Sequence, residues 1–172
     1  ITLPAQAPGK YASVLKLTLD GAVDVDEAPL QQADGSVLLP AHMAAVSGAA
    51  TVDRGGMTAG WRSPEDALAW TFRLKQGGRF RVEFISASAG HGAVWKGGHE
   101  VAFTLGGTRL VATLAKDRDS DSPRAQHHPE AVSILGEVNL PAAGSHQATV
   151  QALAFAPDSQ LRLAEIRLVP IA

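Results

Sequence analysis

An all-β sandwich is the fold this sequence predicts, and three observations predict it. Apolar residues recur at every second position through a series of short segments, the pattern of strands with one buried face. Glycine pairs and Pro/Asp-containing stretches punctuate those segments as turns do. No stretch carries a convincing helical repeat for more than a few turns. The length of 172 residues suits one domain, or one domain with a short appendage, and suffices to bury a core.

From the amino end, SVLKLTLDG over residues 13–21 reads as a strand with Leu15, Leu17 and Leu19 in phase. The polar, acidic, proline-containing DVDEAPLQQADGS that follows predicts a linker or long loop. Residues 1–29 are therefore expected to be a strand and linker from the end of a preceding β-sandwich, or to pack on the main one. Residues 30–172 are expected to form the sandwich itself. PAHMAAVSGAA comes nearest to a helix, but Pro40 and Gly48 confine it. ALAWTFRL sets Leu68, Trp70, Phe72 and Leu74 on one face, and RFRVEFIS repeats the pattern with Phe80, Val82 and Phe84. Gly77-Gly78 between them predicts a tight hairpin that uses positive φ angles. Val101, Phe103 and Leu105 alternate, Gly106-Gly107 turns the chain, and RLVATLA returns as a partner strand. KDRDSDSPRAQHHPE, residues 116–130, is the longest polar insertion and predicts a mobile surface loop. AVSILGEVNL, HQATVQALAF and LRLAEIRLVP complete the strands. In the last, Leu161 and Leu163 share one phase while Ile166 and Leu168 take the other, which predicts a β-bulge near Ala164.

Composition narrows the function by exclusion. With 45% hydrophobic and 19% charged residues the chain is ordinary for a globular protein, and a net charge of −2 gives no electrostatic footprint for nucleic acid or an anionic membrane. The apolar runs are too short for a membrane-spanning helix. The absence of cysteine removes disulfides, thiolate nucleophiles and cysteine zinc sites together. The chain begins at Ile1 with neither an initiator methionine nor a signal peptide, so it is expected to be cut from a longer polypeptide.

No GxSxG elbow, HExxH pair or phosphate-binding glycine loop is present. Asp117, Asp119 and Asp121 suggest a calcium loop, but Ser122 and His128 stand where that loop needs glycine and glutamate. His127 and His128 are adjacent and would face opposite sides of a strand. Glu65-Asp66 and the Asp24, Asp26, Glu27 group are sequence neighbours without a cleft between them, unlike the separated carboxylates of glycoside hydrolysis. Asp66 reads better as a turn or capping residue that orders the loop between the tryptophans.

GHGAVWKGGHE is the most promising segment. Trp95 offers an apolar platform for a sugar ring, and His91, His99, Lys96 and Glu100 offer polar contacts to hydroxyls. The competing reading is a glycine-rich loop whose tryptophan packs on the sandwich edge. Trp61 is the second aromatic candidate for such a platform. No catalytic residue is assigned; a free-standing enzyme would have to draw on His91, His99 and Glu100.

GWRSPEDALAWTFRLKQGGRFRVEFISAS resembles the G-x-W-x-x-P-x-D-x-x-x-W-x-F…G-x-Y-x-V segment of β-sandwich modules appended to bacterial family 29 glycoside hydrolases, the α-L-fucosidases; similar modules accompany some sulfatases. Gly60, Trp61, Pro64, Asp66, Trp70, Phe72, Gly78, Phe80 and Val82 occupy the pattern, with Phe80 in place of the usual tyrosine. VSILGEVNLPAAGSHQATVQA and AEIRLVPI resemble that family's later strands, and ITLPAQAPGKYASVLKLTLDG looks like the end of the sandwich that follows its catalytic barrel. The resemblance implies a galactose-binding-like, jelly-roll accessory module of a secreted or periplasmic α-L-fucosidase, probing fucosylated or galactose-containing glycans. It also implies a catalytic domain in the same polypeptide as partner, and no cofactor beyond a structural calcium at a backbone-carbonyl site. The alternative is a structural sandwich that braces a glycosidase or sulfatase domain and binds nothing of its own.

Overall fold

The computed structural model describes residues 27–90 and 92–171, together with Gln6, Val14, Lys16, Thr18, Asp20 and Gly21. The strand expected over residues 13–21 therefore lies largely outside the described residues. The described residues form twelve strands: β1 (Val37–Pro40), β2 (Ala45–Ser47), β3 (Thr51–Val52), β4 (Thr58–Ala59), β5 (Ala67–Leu74), β6 (Gly78–Ala87), β7 (Glu100–Leu105), β8 (Thr108–Thr113), β9 (Arg118–Asp119), β10 (Glu130–Leu140), β11 (Gly144–Ala154) and β12 (Leu163–Ile171). They form two five-stranded antiparallel sheets, ordered β1-β12-β6-β10-β9 and β2-β5-β11-β7-β8, plus the small β3–β4 hairpin. This is the all-β, antiparallel sandwich expected from the period-two pattern.

The core lies between the sheets because each strand offers one apolar face to it. Leu68, Trp70, Phe72 and Leu74 of β5 meet Phe80, Val82 and Phe84 of β6, and all seven are buried. Trp70 also donates its indole N–H to the Pro40 carbonyl at 2.8 Å, so burial leaves no polar atom of the ring stranded.

The expected pairing of β5 with β6 is corrected. β5 pairs with β2 and β11, whereas β6 pairs with β10 and β12, so residues 75–77 cross from one sheet to the other. A crossing link turns the two apolar faces toward each other, which a flat hairpin would not. Accordingly neither Gly77 nor Gly78 has a positive φ. Gly77 serves close approach instead: a Cβ there would come within 2.5 Å of the Pro141 backbone, where the neighbouring β10–β11 crossing passes. The Gly106-Gly107 hairpin does form, with φ of 59° and 81° and Leu105 opposite Thr108. The bulge expected near Ala164 is present as a register shift between Leu163 and Glu165. A second bulge, at Ile134–Gly136, uses the positive φ of Gly136 to return Leu135 to the core.

PAHMAAVSGAA, the segment nearest to a helix, gives only a single 3-10 turn, Ala41–Met43, and then β2. One further expectation changes. Residues 116–130 are not a free loop. β9 pairs with β10, a 3-10 turn spans Pro123–Gln126, and arginines tie the segment to buried glutamates on the outer face of the first sheet. Arg118 reaches Glu83 at 2.7 Å, while Arg124 reaches Glu130 at 3.1 Å and Glu165 at 3.3 Å. Those glutamates need partners once buried, and the insertion supplies them.

Candidate functional site

Three connections meet at one end of the sandwich: residues 59–62 after β4, residues 88–98 between β6 and β7, and residues 155–162 between β11 and β12. Each is fixed by a polar residue that is buried or largely so. Asp66 holds the first: one carboxylate oxygen accepts the Ala49 N–H at 2.6 Å, and the other accepts the N–H groups of Arg62 and Ser63 at 3.1 Å. The loop-ordering role read from the sequence is what the geometry shows. Those N–H donors, Ala49 first, hold the Asp66 carboxyl below its ordinary value of 3.8.

Arg162 joins the second and third connections to the β3–β4 hairpin. It pairs with the Asp53 carboxylate and donates to the Ser88 carbonyl at 3.2 Å. Burial raises the Asp53 carboxyl, but the Met57 N–H and Arg162 outweigh it and the net displacement is downward. Thr58 completes the clasp by accepting the Leu163 N–H at 2.8 Å. Met57 then covers an apolar patch of Ile85, Ala87, Val132 and Ala164 on the outer sheet face.

His99 anchors the third connection. Its Nδ1 accepts the Ala156 N–H at 3.2 Å, so its ring proton sits on Nε2, which lies 3.1 Å from Ser159 Oγ. The ring also meets Phe155 edge-on, with centroids 6.1 Å apart. Only 1% of His99 is exposed, and burial lowers its pKa from the ordinary 6.5.

Two recesses open between these connections. The first, of about 270 Å³, is lined by Ala59, Gly60, Trp61, Arg62, Phe155, Ser159, Gln160, Leu161 and Arg162. The second, of about 240 Å³, lies against residues 87–96 and shares Ser159 and Gln160 with the first. Trp61 is 3% exposed, and its indole Nε1–H is buried with no hydrogen-bond partner among the described residues. Buried donors are seldom left so.

The sequence candidates fall into three groups. Trp61 lines the first recess and Lys96 the second, where its ammonium donates to the Asp158 carbonyl at 3.2 Å. Trp95 is half-buried, not a free platform. Its Nε1–H donates to Ser86 Oγ at 2.9 Å, and its ring lies over Gly97, where an added Cβ would come within 2.7 Å of it. His99 cannot reach a ligand hydroxyl directly, because both ring nitrogens are engaged inside the protein. Glu100 begins β7 opposite Thr113 and lines neither recess. His91 lies outside the described residues. Arg62, Phe155, Ser159 and Gln160 went unread in the sequence. The one local sign was the Pro157-Asp158 turn, where Asp158 adopts a φ of 51°.

No three His, Asp or Glu side chains gather as a metal-ligand set among the described residues. The aspartates of the D-x-D-x-D run diverge: Asp117 accepts the Ile134 N–H, Asp119 pairs with Lys116, and Asp121 pairs with Arg167. The residues present do not fit a side-chain calcium loop. Also among the described residues, no helix is long and apolar enough to cross a membrane.

No known family profile matches this sequence, and no curated protein matches it. In structure, the chain is similar to an α-L-fucosidase from Vibrio sp. strain EJY3, with a TM-score of 0.62 at 20% identity, over 88% of this chain and 25% of the fucosidase. It is similar to the mosquito-larvicidal Cry4Aa toxin of Bacillus thuringiensis, with a TM-score of 0.61 at 14% identity over 86% of this chain and 25% of the toxin. It is also similar to the CBM35 carbohydrate-binding module of Cellvibrio japonicus Abf62, with a TM-score of 0.51 at 13% identity, over 80% of this chain and 94% of that one. The chain thus spans about a quarter of the fucosidase and the toxin but nearly a whole module. At these identities the likeness is one of fold. Because that fold serves a glycosidase, a toxin and a binding module, function is argued from the site.

Proposed function

We propose that this chain is a carbohydrate-binding accessory module, residues 30–172, of an extracytoplasmic glycosidase of the α-L-fucosidase kind, with residues 1–29 leading into it from a preceding domain. One observation carries the reading: the recess at the loop end is lined by the aromatic residues Trp61 and Phe155 and by the polar residues Arg62, Ser159 and Gln160. Saccharide sites need those two features, an apolar face for the ring and convergent polar groups for the hydroxyls. The module-length likeness to a carbohydrate-binding module and the partial likeness to a fucosidase support it. A supporting role also fits the carboxylates: Glu83, Glu130 and Glu165 are buried and held by arginines, which suits structure better than acid–base work.

The test is calorimetric titration of the chain with a panel of fucosylated, galactose-containing and acidic oligosaccharides. Saturable binding is expected. A flat response to every member would instead favour the structural brace. That second reading draws on the exposed Leu30 and Met43 and on the groove that Pro29, Met43 and Ala45 line beside the entering chain.

A further inference from the structure

We infer that the recess beside Trp61 selects an acidic saccharide, one bearing a carboxylate or sulfate, over its neutral counterpart. The inference rests on the carbohydrate-binding reading and names the ligand class of the same site. What distinguishes this recess is that both of its charged side chains, Arg62 and Arg162, are donors.

Trp61 supplies the first donor. Its Nε1–H is buried and has no acceptor among the described residues, and its side chain lines the recess, so we place the missing acceptor there. Ser159 supplies the second through a relay. The Ala156 N–H occupies His99 Nδ1, so His99 donates from Nε2 to Ser159 Oγ, and the hydroxyl hydrogen is left for an acceptor in the recess. Burial keeps His99 in the neutral form this relay requires, since it lowers the pKa from 6.5. His99 is thus a positioning residue. Arg62 supplies the third: it is exposed at the recess, and among the described residues its guanidinium makes no hydrogen bond or ion pair.

No carboxylate is part of the lining. Arg162 adds a second guanidinium, but Asp53 already balances that charge, so the uncompensated cation is Arg62. A carboxylate or sulfate presents only acceptors and bears the complementary charge. A neutral sugar can accept from the same donors through its hydroxyl oxygens, but those are weaker acceptors and carry no charge to complement Arg62. Discrimination arises from the charge-assisted hydrogen bonds that only the anion can form. The volume of about 270 Å³ suits one sugar ring rather than an extended chain.

The test is calorimetry of the full chain with tri-galacturonate, a sulfated galacto-oligosaccharide and neutral galactotriose, at low and high salt. An acidic probe is expected to bind about tenfold more tightly than galactotriose, with the advantage shrinking in salt. The stronger of the two acidic probes identifies the anion. Arg62→Gln should reduce the preference to about twofold without lowering Tm, because the side chain is exposed and unpartnered. Trp61→Phe deletes Nε1–H and shrinks a core ring, so a lower Tm is expected; titrated well below its melting range, it should still bind the acidic probe about tenfold more weakly. Equal affinity for acidic and neutral probes, or an unchanged preference in Arg62→Gln, overturns the inference and leaves the carbohydrate reading standing. Binding to none of the three, and to no glycan of the wider panel, overturns both.

Discussion

Trp70 and Trp61 are both buried in the core, and they differ in the fate of one polar atom. Trp70 is 2% exposed, in phase with Leu68 and Phe72, and its N–H is paired with Pro40. Trp70→Ala should cost about 3–5 kcal/mol in a denaturant titration, as large aromatic truncations do. A loss under about 1 kcal/mol would contradict the core assignment. Trp70 was legible from period two alone. Asp66 was legible too, because a carboxylate in a Ser-Pro-Glu-Asp turn has backbone N–H groups to accept. Its lowered pKa sets a direction for acid stability: the contribution is full above the unfolded value of 3.8 and is lost as pH falls through the lower folded value. Asp66→Asn should be less stable at neutral pH and show a flatter decline between about pH 4 and pH 2 in denaturation curves. An identical acid limb would contradict that account. His99 gives a second, separate window. Its contribution is full above the unfolded value of 6.5 and declines as pH falls toward and through the lower folded one, because the unfolded chain takes the proton more readily. Stability should therefore fall between about pH 7 and pH 5, and the slope should vanish in His99→Gln.

At the level of elements, the strands were readable and their partners were not. Period two tells which face of β5 and β6 is buried, but a sheet-crossing link and a hairpin bury the same residues. Only the backbone of Pro141, sixty-odd positions along the chain, decides between them. Gly77→Ala should cost on the order of 1–3 kcal/mol, because its Cβ would strike that backbone. Gly78→Ala, whose Cβ would make ordinary contact with Phe80, should change stability by no more than about 0.5 kcal/mol. Equal effects of the two would argue for the hairpin after all. The bulge at Ala164 was legible because two apolar phases met within one strand. The ordering of residues 116–130 was not, since its arginines answer glutamates on β6, β10 and β12 that the sequence does not mark as buried.

For the whole molecule, the sandwich was predictable and the candidate site only half so. Trp61 and Lys96 were picked out by residue type. Trp95, the favoured platform, turned out to have its indole N–H tied to Ser86, and the recess draws instead on residues 155–162, which the sequence presents as an unremarkable turn. Convergence of three connections at one end of a fold leaves no local trace in any of them. The central claim, that a saccharide binds beside Trp61, is most directly tested by following the tryptophan indole N–H resonances during titration with the oligosaccharide panel. The account predicts that the Trp61 resonance moves saturably while that of Trp70, locked to Pro40, stays in place. Saturable binding that leaves the Trp61 resonance unmoved would put the site elsewhere, and no movement of any indole with any saccharide would contradict the claim altogether.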